Sequence, residues 1–159
     1  MQKFTIDNAI QVCNAIVNDA VSNFSGIAVA VINQQFNTDH IISLRPNLKL
    51  PKVNYYDNQQ EFIDYLNKGS KLGGVVHDGF HFMNSNGTIT HSAQYFVPTP
   101  VKELPINQLC GTRYHSALYG SVMQGVDFII TISSNKTIYI FQNGKIVYLK
   151  KSSDYQEVI

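Results

Sequence analysis

Two short stretches carry the residues able to do chemistry. They are "VVHDGF", Val75 to Phe80, and "CGTRYHSAL", Cys110 to Leu118. The chain has only two arginines, and one of them, Arg113, stands in the Gly-Thr-Arg-Tyr-His run. A Gly-Thr pair opening a helix offers free backbone N–H groups and the positive end of a helix dipole. Arg113 adds a forked cation suited to phosphate oxygens and Thr112 adds a hydroxyl donor, which together describe an anion site. A helix start capped by Thr112, with a surface arginine behind it, would use the same residues. In the first stretch, a carboxylate at the end of a buried strand and followed by Gly79 presents Asp78 at a sheet edge. There it can hold a divalent metal or accept a proton from a hydroxyl. His77 beside it could add a nitrogen ligand. An Asp-Gly turn between strands accounts for the same residues without chemistry. His81 and His91 read as strand-face histidines, and His40 gives no signal.

The elements that must position these residues follow from periodicity. Ile6, Ala9, Ile10, Cys13, Ile16, Val17, Ala20, Val21 and Phe24 recur at helical spacing and predict a first helix with Asp7 as its N-cap. Gly26 releases the chain into "IAVAVI", an apolar run that predicts a central strand buried on both faces. Residues 33–56, broken by Pro46 and Pro51, read as loop with one or two short strands. "DNQQEFIDYLNKG" predicts a helix capped by Asp57, with Gln60 at the capping-box position and Gly69 ending it. "GGVVHDGFHFM" reads as a strand entering a sharp turn or a second strand, and "TITHSAQYFV" as another strand. From Thr112 a helix is expected to run to Gly125. "VDFIITIS" is a buried strand, and Asn143-Gly144 joins "TIYIF" to "KIVYL" in a hairpin. The tail "KKSSDYQEVI" carries no clear signal. Strands alternating with three helices predict an α/β or α+β class with a mixed sheet and some antiparallel pairing.

Composition narrows the function classes. A chain of 159 residues suits one domain, residues 1–159, with a real core. With 44% hydrophobic and 14% charged residues it is globular, and a net charge of +1 gives no general reason to expect nucleic acid or an anionic membrane as partner. Cys13 and Cys110 lack CxxC spacing and read as reduced, buried small hydrophobes. "MQKFTIDNAI" has no apolar signal region and no apolar run approaches about 18 residues, so the expected location is cytoplasmic, with no membrane span.

Read together and in order, the motifs resemble the diadenylate cyclase domain family, whose members make cyclic di-AMP. That family carries His-Asp-Gly-Ala or Asp-Gly-Ala after a strand, then Leu-Gly-Thr-Arg-His-Arg-Ala-Ala downstream. The counterparts here are His77-Asp78-Gly79-Phe80 and Leu109-Cys110-Gly111-Thr112-Arg113-Tyr114-His115-Ser116-Ala117. "SGIAVAVI", "AQYFVPTP", "GVDFIITIS" and Asn143-Gly144 resemble further family segments, so the likeness spans roughly residues 5 to 148. Three positions depart from the pattern. Phe80 replaces an alanine that lies near the nucleotide. Tyr114 and His115 replace His-Arg, removing a cation. Ser133, Ser134 and Asn135 replace Ser-Glu-Glu, removing an acidic group near the metal.

The resemblance implies a single α/β domain with a twisted mixed sheet flanked by helices. It implies that two ATP are condensed into cyclic di-AMP with a divalent metal, Mg²⁺ or Mn²⁺, where two domains meet face to face in a homo-oligomer. Asp78 would hold the metal with help from His77, and Asp78, Gly79 and Arg113 would be catalytic. Gly79, Phe80, Gly111, Thr112, Arg113, His115 and Ser133 would bind nucleotide, with a protonated His115 partly standing in for the missing arginine. The departures motivate an alternative, a catalytically weak or inactive relative that binds nucleotide as a sensor.

Overall fold

The computed structural model describes residues 2–152. Helix α1, Ile6–Asn18, lays Ala9, Val12, Cys13 and Ile16 on the sheet. Its N-cap is Thr5, not Asp7: the Thr5 hydroxyl accepts from the Asn8 N–H while the Asn8 side chain accepts from the Thr5 N–H. That reciprocal pair satisfies two donors that Asp7, one residue inside, could not reach. Strand β1, Ile27–Ile32, is buried at every position. Residues 33–56 contribute one short edge strand, β2, Ile41–Ser43, after a single 3₁₀ turn.

Helix α2, Gln59–Ser70, is capped by Asn58, whose side chain accepts from the Glu61 N–H at 3.0 Å. The expected cap Asp57 lies one residue too early, and the Gln60 amide donates instead to Asp64. Gly69 lies inside α2 and does not end it. A Cβ there would fall 2.6 Å from Nε2 of His81, so the helix needs a glycine to let the sheet come close.

Strands β3, Phe80–Asn84, and β4, Ile89–Phe96, follow. Helix α3, Thr112–Gly120, stops before the expected Gly125, and residues beyond it continue in tight turns such as Met123 N–H to Gly120 O. Strands β5, Val126–Ile132, β6, Ile138–Gln142, and β7, Lys145–Lys150, complete the sheet. Asn143 and Gly144 both have positive φ, 52° and 78°, as the tight β6–β7 turn requires. Of the tail, Lys150 ends β7 and residues 153–159 lie outside the described residues.

The strand order is β2-β4-β3-β1-β5-β6-β7. Only β1 and β3 run parallel, so the α/β class with a mixed sheet is borne out. Phe4, Phe62, Leu66 and Met83 fill the layer under α1 and α2. Phe80, Phe82, Phe96, Leu118 and Phe141 fill the layer under α3. The result is one domain with its sheet between helical layers. Among the described residues no helix is long and apolar enough to cross a membrane. Cys13 and Cys110 are free thiols; Cys13 is buried as expected, whereas Cys110 is only half-buried because it stands just before the exposed start of α3. Burial pushes the Cys13 thiol up to about 12, which keeps it a packing group.

Candidate functional site

The N-terminus of α3 faces open space. Gly111 is its N-cap in extended conformation, and no side chain caps it. Thr112 is therefore the first helical residue and not the cap. A Cβ at Gly111 would meet nothing within 4 Å. The leading N–H groups of this helix are thus left for a ligand. The approach loop is braced by His115: its Nε2 accepts from the Asn107 N–H at 3.1 Å and its Nδ1 contacts Gly111 O at 2.9 Å. An Nε2 that accepts puts the proton on Nδ1, which donates to the carbonyl. Both ring nitrogens are spent on the loop, so the neutral ring is a brace. The protonated phosphate partner expected from the sequence would have to surrender the Asn107 bond.

A cavity of about 470 Å³ opens beside this helix start, within the size range of small-molecule sites. Gly111, Thr112, Arg113 and Tyr114 line one wall, and Thr131, Ser133, Ser134, Asn135, Thr137 and Tyr139 the other. Lys151 closes one side, and no carboxylate belongs to the described lining. Where the family pattern has Ser-Glu-Glu, the turn closes on itself: the Ser133 hydroxyl donates to Asn135, and the Thr137 N–H donates to both at 3.2 Å. Tyr114, in place of a histidine, packs edge-on against Tyr139 with centroids 5.1 Å apart. Burial pushes its phenol up, with Cys110 adding to the effect and a hydrogen bond to Asn107 opposing it.

Arg113 reaches across to the start of β1, where its Nη1 donates to Ser25 O at 3.2 Å. Gly26, at φ +95°, makes room: a Cβ there would fall 2.5 Å from that same nitrogen. Burial pushes the guanidinium down from its ordinary value, and the nearby Asp78 charge pulls it back up.

Asp78 does not follow a strand. Residues 73–79 are turn and bend, Val75 is 74% exposed, and β3 begins only at Phe80. Asp78 holds φ +81°, a left-handed conformation rare outside glycine, and Gly79 follows at φ +70°. Gly79 is obligatory, because a Cβ would sit 2.2 Å from Gln94 O. This double left-handed turn folds the Asp78 carboxylate back onto its neighbour, Oδ1 lying 2.8 Å from Nδ1 of His77. The other face of the His77 ring meets Ser25, Nε2 to Oγ 2.7 Å. Oδ2 of Asp78 lies 3.5 Å from Arg45.

Ser25 thus ties the two motifs together, its hydroxyl to His77 and its carbonyl to Arg113. Ser25 is hard to find from sequence alone. Its one signal is the Ser-Gly pair just before the most buried strand.

The other expected residues divide clearly. Gly111, Thr112, Arg113 and Ser133 share the cavity, while Gly79 acts through its backbone. Phe80 is 5% exposed and packs on Phe96 at 5.1 Å, in the core under α3 and off the cavity wall. Strand alternation puts it there with Phe82.

The donor set bears on a metal. Among the described residues no three His, Cys, Asp or Glu side chains cluster to hold one. His77 has both nitrogens engaged. Asp78, 53% exposed, keeps one oxygen in only a long contact with Arg45. A single carboxylate oxygen suits Mg²⁺ or Mn²⁺ arriving with phosphate oxygens and waters, and does not suit a resident, protein-caged ion.

No family model matches the chain. No curated protein matches it. Solved structures do. A hypothetical membrane spanning protein from Bacillus cereus superposes with a TM-score of 0.64 at 16% identity, over 94% of this chain and 65% of that one. The chain therefore spans just under two thirds of that relative's length. DacA from Staphylococcus aureus, solved as a double mutant, superposes with a TM-score of 0.60 at 17% identity, over 93% of this chain and 91% of that one. What these likenesses establish is a shared fold, which in DacA accounts for nearly the whole of the compared chain.

Proposed function

We propose that this chain is a diadenylate cyclase, joining two ATP molecules into cyclic di-AMP with release of pyrophosphate. The observation that carries the reading is the uncapped start of α3 with Arg113 on a cavity wall whose described residues hold no carboxylate, in a fold shared with DacA, a diadenylate cyclase. Phosphoryl transfer depends mainly on positioning and charge neutralisation, and this wall offers both. The N–H groups following Gly111, the Thr112 hydroxyl and the Arg113 fork would grip the triphosphate. Tyr114 and Tyr139 supply aromatic surface of the kind a base stacks on. Two copies would meet face to face. The 3′-oxygen of one ATP bonds to the α-phosphorus of the other as the bond to the pyrophosphate oxygen breaks. A divalent ion held by Asp78 would supply charge neutralisation at the phosphates and favour loss of the hydroxyl proton.

A second reading has its own support. The Ser133, Ser134 and Asn135 turn carries no acidic group, and among the described residues the metal donors reduce to one carboxylate, which suits a protein that binds nucleotide without turning it over. Incubation with ATP and Mn²⁺ followed by mass spectrometry separates the two. Cyclic di-AMP supports the cyclase. ATP recovered intact, with binding seen by calorimetry, replaces the cyclase by the sensor.

A further inference from the structure

Ser25, His77 and Asp78 form a hydrogen-bonded row of which the nucleotide chemistry uses only Asp78. Ser25 Oγ is 2.7 Å from His77 Nε2, and His77 Nδ1 is 2.8 Å from Asp78 Oδ1. We propose that these three residues form a nucleophilic triad, with Ser25 attacking carboxylic esters that carry an anionic group. The inference does not depend on the cyclase reading.

The hydrogen bonds decide the roles. A carboxylate only accepts, so His77 donates from Nδ1 to Asp78 and, when neutral, presents a lone pair at Nε2. The Ser25 hydroxyl has one proton and two acceptors in reach: Nε2 at 2.7 Å and Ser70 O at 3.1 Å. The shorter contact directs it to the ring, which is the arrangement that activates a serine. The conformation of Asp78 supports the assignment. A non-glycine residue at φ +81° is strained, and such strain collects where a side chain must be aimed. Here it aims the carboxylate at its neighbour's ring. His77 is buried and fixed in place, while Ser25 is half-buried and lines the 470 Å³ cavity. Arg113, 3.2 Å from the Ser25 carbonyl, places a cation beside the nucleophile, and with Lys151 it sets the anionic preference.

The reaction balances with water as the only co-reactant. Ser25 Oγ bonds to the ester carbon as its proton passes to His77 Nε2. The oxyanion that results would draw its charge compensation from the guanidinium of Arg113, whose Nη1 donates to the Ser25 carbonyl. The alcohol leaves with the proton from His77, and an acyl group remains on Ser25. Water attacks that acyl group, gives its proton to His77, and releases the acid while Oγ regains the proton.

If the contact is only a clamp that ties residues 74–79 to β1, no covalent reactivity follows. The test is a fluorophosphonate probe, without nucleotide or metal, read by intact mass and peptide mapping. The expected result is one adduct, on Ser25, absent in Ser25→Ala and formed about 100-fold or more slowly in His77→Asn, the usual scale of a lost general base. Asp78→Asn guards against misfolding, because its half-exposed side chain leaves the core intact, and it should slow labelling at least about tenfold. A p-nitrophenyl half-ester of succinic acid should be hydrolysed with the same pattern. No adduct at Ser25, an adduct on another serine, or equal rates in wild type and Asp78→Asn would overturn the proposal.

Discussion

His81 should make the fold lose stability in mild acid, by about 2 kcal/mol between near pH 7 and near pH 5. It sits on β3 opposite Val29, 1% exposed, with its ring edge-on to Tyr65 and hard against Gly69. Its Nδ1 is buried with no hydrogen-bond partner. Burial, reinforced by the positive charge of Arg113 and by His77, lowers its pKa from 6.5 to about 4. The unfolded chain therefore binds a proton between about pH 6.5 and pH 4 that the folded chain refuses. A depressed histidine contributes fully above the unfolded value and loses that contribution as pH falls towards the folded one. At about 1.4 kcal/mol per tenfold, the whole window is worth about 3 kcal/mol, of which about 2 kcal/mol is lost on going from near pH 7 to near pH 5.

The assay is urea unfolding at those two values, for wild type and for His81→Leu. Leucine fits the apolar slot, removes the orphaned nitrogen and cannot titrate. Wild type should lose about 2 kcal/mol more than the variant, equivalent to about 4–8 °C in Tm for a chain of this size. Equal losses, within about 0.5 kcal/mol, would show that the buried imidazole takes its proton without penalty and would refute the reasoning.

Gly26→Ala should cost at least about 1–2 kcal/mol from its φ of +95° alone, and more from the 2.5 Å approach to Ile132 O; unchanged denaturant midpoint would contradict this. Asp78→Asn should abolish cyclic di-AMP formation with thermal stability altered by no more than about 0.5 kcal/mol, since the side chain is half-exposed in a turn; wild-type turnover in this variant would remove Asp78 from the chemistry. Because one domain holds half of the proposed reaction centre, activity should rise faster than linearly with protein concentration near the dimer dissociation constant. Constant specific activity where light scattering finds only monomer would exclude the two-domain arrangement.

Much of the frame was legible because it depends on periodicity. The apolar stripe of α1, the unbroken run of β1 and the Asn143-Gly144 turn each follow from local chemistry with one good solution. Caps were harder, since Thr5 and Asp7, or Asp57 and Asn58, are both able to cap and only the reach to the third N–H chooses between them. "VVHDGF" misled for a different reason. Val75 and Val76 have strand chemistry, but the left-handed pair Asp78 and Gly79 closes a turn first, and Val75 ends in solvent. Phe80 was placed by analogy at the nucleotide, whereas its two-residue spacing from Phe82 already set it on the core face. Ser25 and His77 lie 52 residues apart in sequence, and nothing local to either announces their contact. His115 shows the same limit: its type suggested a cation, and only the loop around it shows a ring with both nitrogens occupied.

The start of α3 and Arg113 should bind the phosphates of a nucleotide. Calorimetry of ATP with wild type, Arg113→Ala and Arg113→Lys measures whether they do. Charge-assisted hydrogen bonds of about 1.5–3 kcal/mol predict a ten- to hundredfold loss in the alanine variant. Lysine, which restores charge without the planar fork, should recover affinity only in part. Equal affinity for ATP in wild type and Arg113→Ala would leave the Gly-Thr-Arg run as nothing more than a helix start, and the account of the site would fall with it.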